Sequence, residues 1–131
     1  IYTHREKALA AAEQKAANRL TEAERKAAVK RAAQMLAEKT AHFAKEMGVT
    51  YGRITIREQK TRWGSCSSAG NLNYNWKLVL MPERVMDYVV IHELAHQKEM
   101  NHSARFYAVV AQQMPDYKVW QSWLKEHGRE Y

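Results

Sequence analysis

The 131 residues hold one cysteine, Cys66, so no internal disulfide is possible, and the fold must rest on its core in a manner compatible with a reducing compartment. No apolar run approaches the roughly 18 residues that a membrane span requires, and the alanine-rich, basic start lacks the apolar centre of a signal peptide. A membrane partner is not expected, and a cytoplasmic location is. Only two prolines are present, Pro82 and Pro115, and none lies in residues 3–47, so nothing there interrupts a helix. The first residue is Ile1 rather than methionine, as in a fragment or a processed product.

Charge of one sign is in excess, with 21 basic against 14 acidic residues, but no polybasic block stands out. Residues 1–47 carry 10 basic and 6 acidic side chains and the remainder 11 and 8, an even spread. Such a field suits acidic substrates or nucleic acid in general, while a solvated basic surface explains it without any partner. Nucleic acid is therefore permitted and not indicated. An apolar share of 46% with 27% charged is ordinary for a globular chain of this length, which predicts one domain over residues 1–131.

What the chain does contain is the segment His92-Glu93-Leu94-Ala95-His96, followed by His102. On a helix, positions i and i+4 share a face about 6 Å apart along the axis, so the two imidazoles can converge on one ion. Glu93 follows the first histidine and points to the neighbouring side, where it can reach a water on the metal rather than the metal itself. A catalytic zinc takes three protein ligands and keeps a fourth position open. His102 completes the set, provided that Lys98 to Asn101 turn the chain back, with Asn101 suited to a left-handed helix end. Five matching residues also arise by chance in surface helices. The apolar residues Val85, Val89, Val90 and Ile91 weigh against that, because they bury the helix, and buried histidines and a glutamate without a partner would cost several kcal/mol.

Around the motif the hydrophobic period changes twice. Residues 1–47 form a helical segment, read as two helices or as one with a joint near Asn18 to Thr21. Thr3 with Glu6 and Thr21 with Glu24 fit capping boxes, and Gly48 fits a helix end. Leu9, Ala12, Ala16 and Leu20 form a weak apolar face, and Val29, Ala32, Leu36, Phe43 and Met47 a stronger one. Residues 48–131 hold the sheet and the metal-site core. Ile54 and Ile56, Thr61 to Ser65, and Leu72, Tyr74, Trp76 and Leu78 alternate as strands, the last two joined as a hairpin through Ser67 to Asn71. Pro82 opens the metal helix, Ser103 caps a helix over residues 104–114, and Pro115 opens a last one with Tyr117, Trp120 and Leu124 packing inward. The four tryptophans read as core or cleft walls, and His4, His42 and His127 as surface residues.

The run Lys60-Thr61-Arg62-Trp63-Gly64-Ser65-Cys66-Ser67, then Asn73, Leu78 and Pro82, the stretch Asp87 to His96, Asn101-His102-Ser103, Phe106-Tyr107 and Pro115 to Lys118 resemble the YgjP-like metallopeptidase family. The resemblance covers about residues 50 to 125, and it groups the chain with zincin-like peptidases near the SprT-like and WLM groups. It implies an α+β, zincin-like fold with a small, mainly antiparallel sheet, the HExxH helix and C-terminal helices. It also implies one Zn2+ held by His92, His96 and His102, Glu93 as the base, and a peptide or protein substrate. The spacing resembles that of metzincins too, but Glu99 stands where those have their turn glycine. The sheet's edge strand suits an extended peptide bound by strand addition.

The reading is a zinc metallopeptidase, with Tyr107 or Arg62 as donor to the developing oxyanion. Competing with it are a zinc hydrolase of a non-peptide substrate and a DNA-associated, SprT-like protease or binding module. Trp63 and Cys66 support the site from the sheet. Cys66 as a fourth ligand would close the coordination and leave Glu93 without a task.

Overall fold

The computed structural model describes residues 20–59 and 62–131. Thr3, Glu6, Leu9, Ala12, Ala16, His4 and Thr61 lie outside them. Among the described residues four α-helices surround one three-stranded sheet, an α+β arrangement. No helix there is long and apolar enough to cross a membrane.

Helix α1 (Glu22–Met47) starts at the expected box, with Thr21 accepting from the Glu24 backbone N–H at 3.1 Å and Glu24 reaching back to Thr21. It ends at Gly48, whose φ of 69° is left-handed and lets its N–H bond the carbonyls of Ala44 and Lys45. Its inner face is Ala28, Ala32, Leu36, Thr40, Ala44 and Met47, while Val29 and Phe43 flank that stripe, half-buried. The stripe packs on a 3₁₀ segment (Trp76–Leu80) and on the helix Glu83–Ala95.

Strands β1 (Ile54–Arg57), β2 (Gly64–Cys66) and β3 (Leu72–Asn75) lie in the order β1-β3-β2. The β2–β3 hairpin is antiparallel as expected, but β1 pairs with β3 in parallel, so the sheet is mixed. The third strand is also shorter than its alternation suggests. Asn75 accepts from the Lys77 N–H at 3.0 Å and turns the chain into the 3₁₀ segment, where Trp76 and Leu78 stay buried without being strand residues. The Asn75 amide further bonds the carbonyls of Gln59 and Arg62, tying down the β1–β2 connection.

Helix α2 (Glu83–Ala95), with Pro82 as the residue just before it, is buried on nearly every side by α1, β2, α3 (Ala104–Gln113) and α4 (Tyr117–His127). Lys39 of α1 clamps it through Asp87 at 2.6 Å and Glu83 at 2.8 Å, and Arg84 reaches Asp116 ahead of α4 at 2.9 Å. Ser103 caps α3 by accepting from the Phe106 N–H. In α4 the fully buried side chain is Trp123, while Tyr117, Trp120 and Leu124 are half-buried at its flanks. His127 is buried rather than exposed, beside Trp123 and Glu130. It closes the C-terminal end of that helix.

One buried polar pair tests how tightly α1 is held to the sheet. Thr40 donates to the Leu36 carbonyl at 2.6 Å, so the Tyr74 hydroxyl, 3.0 Å away, donates to Thr40. Thr40→Val should cost about 1–3 kcal/mol by leaving a buried hydroxyl without its acceptor. The double variant with Tyr74→Phe should cost less than the sum of the two single variants, as read by denaturant unfolding. Strict additivity would show that the pair is not coupled.

Candidate metal centre

The site begins with the burial of α2. Because ten of its thirteen residues are buried, any polar side chain it carries must find partners inside the fold. His92 and His96, one turn apart, place their ring centroids 5.3 Å from each other. The helix ends there: His96 is its last cap, and Lys98 and Glu99 both turn back onto the Ala95 carbonyl. Among the described residues no non-glycine has a positive φ, so Asn101 does not take the left-handed conformation expected of it. Its carbonyl instead accepts from the Ser103 N–H, and the fold-back is made by successive turn bonds.

That turn returns His102 to the helix. Its ring lies 5.1 Å from that of His92 and 4.8 Å from that of His96, with the Nε2 atoms of His92 and His102 3.2 Å apart. One nitrogen from each of the three falls within 4.8 Å of the others. Two nitrogens bound tetrahedrally to one zinc at about 2.1 Å stand roughly 3.4 Å apart. The His92–His102 separation of 3.2 Å matches that, and the trio, spread over as much as 4.8 Å, would close on an ion by ring movement. Burial pushes the His92 imidazole down to about 4, aided by His96 and His102, and burial likewise lowers His96. Neutral rings keep the lone pairs that a cation needs.

Glu93 lies beside this group, buried, with Oε1 4.0 Å from the His96 Nε2. Burial pushes its carboxyl up to about 8, against the pull of the Arg62 guanidinium. A cation in the site would act with Arg62 and favour the carboxylate. Strand β2 approaches closely enough that a Cβ on Gly64 would stand 3.1 Å from the Glu93 side chain and from Val89. Glycine is what lets the sheet pack against Glu93.

A cavity of about 570 Å³ opens onto the three histidines and Glu93. Arg62, Trp63 and Cys66 line it from the strand side, and Tyr88, Met100 and Leu124 from the helices and the turn. The two sequence candidates for an oxyanion donor are thereby separated. Arg62 lines the cavity, whereas Tyr107 stacks on Tyr117 at 5.8 Å with its ring 6.4 Å from that of His102. Cys66 lines the cavity too, but it accepts from Gln97 at 3.6 Å and stands outside the three-histidine group.

Two contributors have no role in the sequence reading. Phe106, fully buried, touches all three imidazoles at centroid distances of 4.9, 4.5 and 4.9 Å. Tyr88 brings its hydroxyl to 3.4 Å from the His92 Nδ1. The signal for Tyr88 is its place four residues before His92, on the same helical face. Phe106 follows His102 by four residues, but no periodicity spans the turn between α2 and α3.

No curated protein sequence matches the chain. Among solved structures, the metallopeptidase zymogen abylysin of Pyrococcus abyssi superposes with a TM-score of 0.64 at 24% identity, over 72% of this chain and 96% of that one. The metallopeptidase zymogen jannalysin of Methanocaldococcus jannaschii gives 0.54 at 19% identity, over 64% of this chain and 90% of that one. At these identities the likeness is one of fold. The sequence itself matches the YgjP-like metallopeptidase domain over residues 2–127, nearly its whole length, and the chain therefore belongs to the YgjP-like metallopeptidase family.

Proposed function

We propose that this metal-dependent peptidase is a single-zinc enzyme that uses His92, His96 and His102 as ligands and Glu93 as general base and acid. The observation that carries this reading is a buried carboxylate set directly against three converging imidazoles at the floor of a cavity. A structural site would need no such carboxylate. A zinc ion held by the trio supplies Lewis-acid polarisation of the scissile carbonyl and lowers the pKa of water from 15.7 to roughly 7.

The remaining steps belong to the chain's own side chains. Glu93 takes a proton from the attacking water on its carboxylate and later delivers it to the departing amine, so the peptide bond breaks with no net proton change at the residue. Arg62, whose charge already acts on Glu93 across the cavity, is the donor we assign to the developing oxyanion. Among the described residues strand β2 pairs only with β3, and its residues line the cavity, so its other edge can take an extended peptide through backbone hydrogen bonds. That favours a peptide or protein substrate over a small ester or amide. The cytoplasm is the compartment we assign, since Cys66 stays a free thiol there.

Replacing His102 with alanine should strip the zinc or weaken it severely while α2 remains folded, as elemental analysis of the purified protein will show. Undiminished zinc would remove His102 from the site. Glu93→Gln separates binding from chemistry. It should retain stoichiometric metal and the circular dichroism of the parent, yet lose about 10²- to 10⁴-fold in peptide hydrolysis. Equal turnover by the glutamine protein would refute the role given to Glu93.

A further inference from the structure

A histidine ligand has two ring nitrogens, and only one tautomer of the neutral ring leaves the right one free for a metal. For His96 the backbone decides. Its Nδ1 sits 3.2 Å from the Glu99 carbonyl oxygen, which can only accept, so the proton is on Nδ1 and the lone pair on Nε2. His92 has no such carbonyl beside it. It stands in the body of α2, where the nearby carbonyls are committed to the helix ladder.

What faces the His92 Nδ1 instead is the Tyr88 hydroxyl at 3.4 Å, from a ring 5.7 Å away and inclined at 63°. The opposite nitrogen, Nε2, faces His102 at 3.2 Å, so the two sides of the His92 ring have distinct neighbours. Tyr88 is only 5% exposed, so its hydroxyl meets His92 inside the fold. A phenol can donate or accept. A neutral His92 that keeps its Nε2 lone pair toward His102 and a shared ion carries its proton on Nδ1, so the phenol oxygen is the acceptor.

We propose that Tyr88 is a positioning residue: its hydroxyl accepts the Nδ1 proton of His92 and fixes that ring with its Nε2 lone pair toward the metal. The inference rests on the reading of His92 as a ligand given above. Partners of this kind typically contribute 10- to 100-fold to metal affinity.

The test is zinc affinity measured by competition with a chromogenic chelator, on the wild-type protein and on Tyr88→Phe and His92→Ala. Tyr88→Phe, which keeps the buried ring, should bind zinc about 10- to 100-fold more weakly. In zinc-loaded protein, ¹H–¹⁵N correlation of the histidine rings should show a slowly exchanging His92 Nδ1–H that exchanges with water far faster in Tyr88→Phe. A purely structural tyrosine would leave that signal unchanged. The wild-type spectrum serves independently if the phenylalanine variant does not fold, since a His92 ring protonated on Nε2 instead of Nδ1 would overturn the assignment. If His92→Ala has lost its zinc while Tyr88→Phe binds within twofold of wild type, the assignment of Tyr88 is overturned and the ligand set stands. If His92→Ala keeps its zinc, the ligand reading falls, and the role of Tyr88 with it.

Discussion

Everything in this fold depends on the burial of α2. A helix that is apolar on nearly all sides has to be enclosed, and α1, β2, α3 and α4 are the walls that enclose it. The same burial sets the chemistry, because two imidazoles and a carboxylate carried into that interior lose most of their hydration. Both groups respond in the direction that keeps them neutral. The imidazole is pushed down and the carboxyl up, as burial dictates for each.

The walls are fastened by specific polar contacts. Lys39 spans the gap from α1 to Asp87 and Glu83, at the end of α2 away from the histidines. Thr40, one residue on, ties the same helix to Tyr74 in β3. At the other end the sheet comes close because Gly64 has no side chain to collide with Glu93. Asn75 sets the path of the segment carrying Arg62 and Trp63, through its bonds to Gln59 and Arg62 and its N–H to the Trp63 carbonyl. Strand, Glu93 and cavity wall are thus positioned by Gly64 and Asn75.

Local chemistry was readable in the sequence wherever it followed a short period. The i, i+4 histidines, the capping box at Thr21, the Ser103 cap and the left-handed Gly48 all depend on neighbours within four residues. The sheet was readable as strands but not as a topology. Alternation marks Ile54, Ile56, Leu72 and Tyr74 as inward-facing without saying that β1 will pair in parallel with β3 across the hairpin. It even overran the end of β3, since Trp76 and Leu78 continue the apolar pattern after Asn75 has turned the backbone into a 3₁₀ segment. His127 was misread for a related reason. Its neighbours Lys125 and Glu126 are exposed, and only the tertiary packing of Trp123 shows that it lies on the inner face. Tyr88 had a signal in its spacing from His92, whereas the contacts of Phe106 with the imidazoles belong to three-dimensional packing.

The three candidate ligands differ in how they are held, and the difference has a consequence. His92 and His96 are fixed to α2, whereas His102 sits in the turn that leads to α3 and is exposed. Phe106, one turn into α3, is pressed against all three rings. A cation shared by the trio would therefore join the start of α3 to the end of α2 through His102, and the Phe106 contact would transmit that closure into the core. The preorganised half of the site is helical and buried. The half that completes it is a turn, held by its own backbone bonds and by the Phe106 ring.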